Sequence, residues 1–429
     1  MFKKVIEAFK NKDIRQRILF TLGVLFIYKL GTTITVPRVT LGANFLESAG
    51  SFAQLMDILS GGSLSQFSIF ALGVSPYITA SIITDILSSD NMLPALAELK
   101  KEGEQGRKKI ESINKYLSLM FCVIQGYGML RTLGLHETLS FADIVYVVSI
   151  ITAGSCFVVW LGDQISVKGI GNGISVIIFA GIVSTMPKQI IDAFNTFLPN
   201  GMVNDAVFSG LLKFSIYIIA YLAIIAFVVF MEKSIRKIPL QYSTNTTQIN
   251  MKKDISFLPI KINSSGVLPV IYANSLMMAV ILITGFFGDN EAITEICSLG
   301  VKYKGVYWGT IIYAVLIVLF AYYQSNAQVR PQETSEDLQK SNAYIPGIRP
   351  GKDTSAHISR VLSRVTFLGM FGLLIIALLP SLLPIIFTDL DAAIAFGGTG
   401  LIIVVGVVNE VNTQIESKLN TKQYKGFSY

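Results

Sequence analysis

Few residues in this 429-residue chain are of a type that catalyses, and their spacing assembles no reactive site. The two histidines are His136 and His357. His136-Glu137 lacks the second histidine four residues on that would complete a zinc-binding helix. The run Gly347-Ile-Arg-Pro-Gly351-Lys352-Asp353 has the flavour of a phosphate loop. It is one residue short, and Asp follows Lys where a hydroxyl is needed to meet magnesium. Gly169-Ile-Gly171-Asn-Gly173 is not a dinucleotide loop, because no strand precedes it and its third glycine comes too early. Cys122, Cys156 and Cys297 have no disulfide or metal spacing and read as small apolar fillers or free thiols. No metal or cofactor is expected, and any work must draw on a partner or an ion gradient. The remaining reactive candidates are charges inside apolar segments: Lys29, Asp85 and Glu410. Such groups are expensive in lipid and are retained for function. Three are few for a proton or sodium pump.

The elements that position these charges are membrane helices. Apolar residues make up 52% of the chain and charged residues 15%, and the mean hydropathy is +0.57. Ten apolar runs are long enough to cross a bilayer, near 18–36, 67–87, 113–131, 141–161, 174–190, 211–231, 268–288, 306–325, 364–387 and 393–411. They lack the strict alternation of barrel strands, so the chain is read as an all-α polytopic membrane protein. With the N-terminus placed in the cytoplasm, 28 of the 35 Lys and Arg fall inside and six outside, with Lys29 within span 1. That asymmetry puts both termini in the cytoplasm. The net charge of +7 therefore records orientation rather than affinity for nucleic acid. Residues 1–17 form a basic amphipathic arm expected on the inner membrane surface, with no cleavage site behind the first span.

Five spans fall in an N-terminal half (18–190) and five in a C-terminal half (191–411), followed by a cytoplasmic tail (412–429). An odd count per half means that related halves would be inverted, with a pathway at their interface. Two long cytoplasmic loops, about 232–266 and 326–363, interrupt the second half. Span 2 is atypical: Gly73, Pro76, several hydroxyls and Asp85 lie in it. The half-apolar stretch 52–66 before it carries Gly61-Gly62. A broken or re-entrant segment fits this composition, and such backbone is tolerated only against protein or a cavity.

Seven stretches resemble the SecY family, the central channel subunit of the bacterial general secretion translocon, and they occur in the family's order. They are RILFTLGVLFIYKLGTTITVPRV (Arg17 to Val39), LSGGSLSQFSIFALGVSPYITASII (Leu59 to Ile83), GEQGRKKI (Gly103 to Ile110), WLGDQISVKGIGNGISVIIFAGIVSTMP (Trp160 to Pro187), LPIKINSSGVLPVIYANSL (Leu258 to Leu276), AYIPGIRPG (Ala343 to Gly351) and FGGTGLIIVV (Phe396 to Val405). The resemblance implies ten helices around a central pore. Unfolded secretory polypeptides would cross it, and apolar signal segments would leave into membrane lipid between helices 2 and 7. It implies a pore ring of Val74, Ile78, Ile174, Ile178, Ile271 and Ile403. It implies a plug over about 52–66, including Leu59, Ser60, Gly61 and Gly62, and a lateral gate including Thr79, Gln125 and Asn274. Arg349, with Arg236 and Lys237, would dock the motor ATPase SecA and the ribosome. SecE and SecG would be the small membrane partners, and the bacterial plasma membrane the location.

Stiff β-branched side chains suit such a gasket, because a narrow apolar ring sheds water and blocks ions. The chain departs from the family in its cytoplasmic loops. Gln241-Tyr-Ser-Thr-Asn-Thr-Thr is uncharged where a basic run is usual, and Lys237 stands where Arg is common. Asn342 replaces a frequent glycine, and Arg330-Pro-Gln an Asn-Pro start. The competing reading of the residues is a secondary transporter with five plus five inverted spans; sparse midplane charge counts against it.

Overall fold

The computed structural model describes residues 9–39, 57, 60–88, 96, 98–99, 102–132, 134–136, 139–198, 207–242, 256–284, 301–302, 305–306, 308–386 and 397–425. The membrane helices of the first half are α1 (Lys12–Gly31), α2 (Ser75–Leu87), α3 (Glu104–Thr132), α4 (Phe141–Lys168) and α5 (Gly173–Phe197). Those of the second half are α6 (Val207–Lys233), α7 (Leu268–Thr284), α8 (Trp308–Val329), α10 (Lys352–Ile386) and α11 (Gly397–Lys425). A short helix α9 (Pro331–Lys340) lies between α8 and α10. Five of these helices (α4, α5, α6, α8 and α10) are individually long and apolar enough to cross a membrane.

Local chemistry sets several ends. Asn11 caps α1 and Asn172 caps α5, each side chain accepting a hydrogen bond from the amide two residues on. Pro76 sits in the first turn of α2, where its missing N–H costs nothing. Residues 60–74 before it form turns rather than helix, so the first part of the expected span 2 is broken. At 13 residues, α2 is about 20 Å long, too short to cross alone.

Most helices outrun their apolar spans, and four do so into segments expected to lie outside the membrane. α1 begins within the expected arm, where Ile14 is buried against Ile170 and the α11 residues Ile415 and Leu419. α3 starts in the basic loop, α10 starts in the expected loop 326–363, and α11 runs through most of the expected tail. Hydropathy marks where lipid ends, whereas a helix continues as long as its backbone bonds and packing partners do.

The two halves share one packing pattern. In the first, α2 packs on α3, α3 on α4, α4 on α5, and α1 on both α4 and α5. In the second, α7 packs on α8, α8 on α10, α10 on α11, and α6 on both α10 and α11. Shifting every helix of the first list by five spans gives the second list. With five spans in each half, the second half would present this pattern inverted in the membrane. They meet where α7 packs on α2 and α3, and where α5 packs on α6 and α11.

The described parts of the two long loops are structured. β1 (Ile235–Tyr242) pairs antiparallel with β2 (Ser256–Lys261), and β5 (Ala343–Tyr344) adds to the other edge of β1. The strands β3 (Val301–Lys302) and β4 (Gly305–Val306) form a separate two-stranded ribbon. Ile238, Leu240 and Ile260 of the three-stranded sheet pack with Leu338, Ile345, Ile358 and Leu362, so both loops share one small core. Two of the family departures stand at left-handed backbone: Asn342 has φ 53° and Arg330 φ 42°. Asn tolerates that region well, in keeping with a frequent glycine there. Arg330 pairs instead with Glu333 at 3.0 Å in the first turn of α9.

Close packing of α4 on α5 rests on Gly173, where an added Cβ would lie 1.8 Å from the Gly162 carbonyl oxygen. Gly173→Ala is expected to destabilise the purified protein by about 1–3 kcal/mol through overpacking. A fall in its thermal unfolding midpoint in detergent checks this, and an unchanged midpoint refutes it.

Candidate functional site

Six aliphatic residues from four helix regions converge between two cavities. Val74 ends the turns before α2, and Ile78 lies one turn into that helix. Ile174 and Ile178 are one turn apart on α5, Ile271 is on α7, and Ile403 is on α11. Val74, Ile178, Ile271 and Ile403 are buried in one apolar cluster, with Ile78 and Ile174 half-buried against it. On one side lies a cavity of about 640 Å³ whose lining includes Tyr77, Glu111, Lys115, Asp163 and Asn172. On the other lies a cavity of about 30 Å³, bounded by Ser60, Leu72, Asn274 and Ser275 among others. Ile78, Ile178 and Ile271 line both cavities and so form the wall between them. Ile174 lines only the larger cavity and Val74 only the smaller, while Ile403 backs the cluster from α11.

Ser60 of the expected plug lines the smaller cavity, together with Leu72, Gly73 and Val74 of the turns that follow. Residues 57 and 60–66 of that segment are described; Leu59 and the rest of 52–66 lie outside the described residues. Tyr28 of α1 donates its hydroxyl to the Ser60 carbonyl at 2.9 Å. Lys29 donates to the Gly61 carbonyl and to Ser184 Oγ of α5, both at 3.1 Å. Gly61 has φ 74°, and a Cβ there would lie 2.9 Å from the Gly181 Cα of α5, so only glycine fits this approach. Gly62 N–H donates to the Asp57 carbonyl at 2.7 Å, and the Ser65 N–H to the Asp57 carboxylate at 2.7 Å. Lys29, flagged in the sequence only as an intramembrane charge, therefore holds a loop carbonyl.

Thr79, Gln125 and Asn274 are buried on α2, α3 and α7, three helices that all pack on one another. Gln125 Nε2 donates to Thr79 Oγ1 at 3.3 Å, and Thr79 Oγ1 donates to the Ser75 carbonyl at 3.1 Å. Gln125 Oε1, Asn274 Oδ1 and the Tyr313 hydroxyl are buried without a partner at hydrogen-bond geometry, although Asn274 and Tyr313 face each other. A buried polar atom with no partner costs about 1–3 kcal/mol, which here applies to Gln125 Oε1. Sequence reasoning missed two tyrosines here: Tyr272 donates to Asp85 Oδ2 at 3.1 Å, and Tyr323 to the Asp85 carbonyl at 2.7 Å. The only signal was Asp85 itself, a carboxylate in an apolar run; its partners lie 187 and 238 residues away.

The basic loop residues gather on the sheet. Arg236 and Lys237 are exposed on β1, opposite Ile260 and Pro259 of β2, and Lys237 Nζ sits 4.5 Å from the centre of the Phe257 ring. Arg349 is exposed between Pro346 and α10. Its loop is held by Thr354 Oγ1 donating to the Arg349 carbonyl at 2.9 Å and Ser335 Oγ donating to the Gly351 carbonyl at 2.8 Å. A fixed loop presents the guanidinium fork without a large ordering cost.

Comparison with known proteins places the whole chain in one family. The SecY family model matches residues 68–412. The protein translocase subunit SecY 1 of Lactobacillus kefiranofaciens is 39% identical over 440 residues, covering all of both chains. A solved SecY structure, described as one whose plug domain stabilises the closed translocation channel and maintains a membrane seal, aligns with TM-score 0.64 at 18% identity. It covers 96% of this chain and 94% of that one. Canine Sec61 in a ribosome–channel complex from the endoplasmic reticulum aligns with TM-score 0.59 at 18% identity, with the same coverage. With more than three quarters of its length inside the family model, the chain belongs to the SecY family.

Proposed function

We propose that this protein is a protein-conducting channel. It passes unfolded secretory polypeptides through the aliphatic constriction and releases apolar signal segments into lipid between α2 and α7. The observation that carries this reading is the wall of Ile78, Ile178 and Ile271 separating a wide polar cavity from a small one lined by Ser60. A ring this narrow and apolar dewets and blocks ions, yet a flexible aliphatic rim fits around an extended chain. Val74, Ile174 and Ile403 complete the ring. The segment 52–66 is the plug, and Thr79, Gln125 and Asn274 are polar groups of the lateral gate. No catalytic role is assigned to any residue. A transporter would place charge at the constriction; the residues lining the smaller cavity include none.

The cytoplasmic sheet with Arg349, Arg236 and Lys237 is the docking platform for the motor ATPase SecA and the ribosome. Ribosome-bound relatives of the same fold support that reading. Small membrane subunits of the SecE and SecG type cover lipid-facing helices. Apolar membrane-crossing helices and the distribution of Lys and Arg support a multi-pass protein of the bacterial plasma membrane with both termini inside.

The direct test is a photo-crosslinker at Ile178 with a stalled secretory chain in native membranes. Crosslinks to the mature region of that chain are expected; none, with the chain shown to be engaged, would leave the transporter reading in front. Ile178→Asn hydrates the ring, and a barrier lowered by about 1.4 kcal/mol raises ion conductance tenfold in planar bilayers. Conductance equal to wild type would remove Ile178 from the seal. Arg349→Glu is expected to cost about 2–5 kcal/mol in motor docking, measured as SecA binding to vesicles; undiminished binding would refute the docking role.

A further inference from the structure

The seam between α2 and α7 carries a hydrogen-bonded clasp at its cytoplasmic end, separate from the expected gate residues. Asp85 follows Ile78 by seven residues, two turns along the same side of α2 and about 10 Å nearer the cytoplasm. Tyr272 follows Ile271 on α7 and lines the wide cavity. Its hydroxyl donates to Asp85 Oδ2 at 3.1 Å. The Tyr272 ring is held edge-on by Phe320 of α8, with centroids 5.7 Å apart at 87°, so the hydroxyl is aimed rather than free to swing. From α8, Tyr323 donates to the Asp85 carbonyl at 2.7 Å. Ser88 Oγ at the C-cap of α2 donates to the same carbonyl at 3.1 Å, so Tyr323 adds a tether from another helix. One residue of α2 thus collects hydroxyls from both α7 and α8.

The chemistry gives this cluster a role that Thr79 and Gln125 do not have. Their hydrogen bond joins α2 to α3, within the first half. Tyr272 to Asp85 joins the two halves across the seam itself. A hydrogen bond to a carboxylate is about twice as strong as one between neutral groups. A carboxylate beside apolar helix faces is costly to keep there without a use. An apolar segment that parts α2 from α7 must break this bond. What the segment gains grows with its apolar area, whereas the cost of breaking the clasp is the same for every segment.

We propose that Asp85 and Tyr272 form a clasp that sets the minimum hydrophobicity a segment needs to open the α2–α7 seam. They are positioning residues that act on gate closure. The proposal rests on the channel reading and adds to it a specificity determinant outside the expected gate set.

The test uses the complete translocase in membrane vesicles and a series of secretory proteins whose signal segments differ only in leucine content. The readout is export of a marginally apolar signal divided by export of a strongly apolar one. Tyr272→Phe keeps the ring and its contact with Phe320 but removes the donor; Asp85→Ala removes the acceptor. Each is expected to raise the ratio about three- to thirtyfold, the equivalent of one interhelical hydrogen bond. The double variant is expected to add nothing beyond the larger single effect. An unchanged ratio in Tyr272→Phe at wild-type protein level overturns the clasp, as does a loss shared equally by both signals. Should Asp85→Ala fail to accumulate, Tyr272→Phe decides alone. Failure of wild-type vesicles to export even the strongest signal would instead overturn the channel reading, and the clasp with it.

Discussion

Backbone amides and carbonyls at membrane depth have to be satisfied by protein, because lipid offers them nothing. Residues 60–74 are where this chain leaves the helix inside its membrane region, and much of the first half is arranged to meet that demand. The Val36 N–H donates to the Phe67 carbonyl and the Ile69 N–H to the Ile34 carbonyl. Ser63 Oγ donates to the Phe70 carbonyl and Ser155 Oγ, from α4, to the Gly73 carbonyl. Tyr28 and Lys29 take the carbonyls of Ser60 and Gly61. Remove these donors and the turns have no reason to stay in the protein interior.

The aliphatic cluster inherits its position from that network. The turns end at Val74, and α2 starts immediately after, so Val74 and Ile78 are presented to α5 and α7 only because the loop before them is fixed. The same apolar cluster contains Tyr28, Phe70 and Val158 beside Ile178, Ile271 and Ile403. Ring and loop are therefore packed as one body. Beside that dry aliphatic contact, Gln125 Oε1 is buried without a partner.

Much of this was legible in the sequence because lipid imposes a coarse rule. Ten apolar runs announced ten helices, and Gly61-Gly62, Gly73 and Pro76 marked the broken second span. The ring positions were reachable through family motifs such as ALGVSPYI and GNGISVII, and the structure brings all six into one cluster. The ends of the helices were not legible. Beyond the bilayer, α3, α10 and α11 continue as polar helices held by packing and backbone bonds, to which hydropathy is blind. The pairing of β1 with β5 was hidden for a related reason, since it joins segments about a hundred residues apart that carry no apolar run. Asp85 stood out by its charge, but neither Tyr272 nor Tyr323 stood out as its partner. A tyrosine in an apolar helix is ordinary until its hydroxyl is seen to point somewhere.

The length of α10 has a mechanical consequence. This element runs from Lys352 to Ile386 as a single helix of 35 residues, about 52 Å, while the hydrocarbon layer is about 30 Å thick. Its N-terminal turns are packed into the core of the three-stranded sheet through Ile358 and Leu362. Farther along, Leu373, Ile376 and Ala377 are packed in the core that holds Tyr272 and Ile82. Load applied to the Arg349 loop therefore enters a stiff rod rooted beside the seam. A force applied there would travel along a lever whose far arm lies beside α2 and α7.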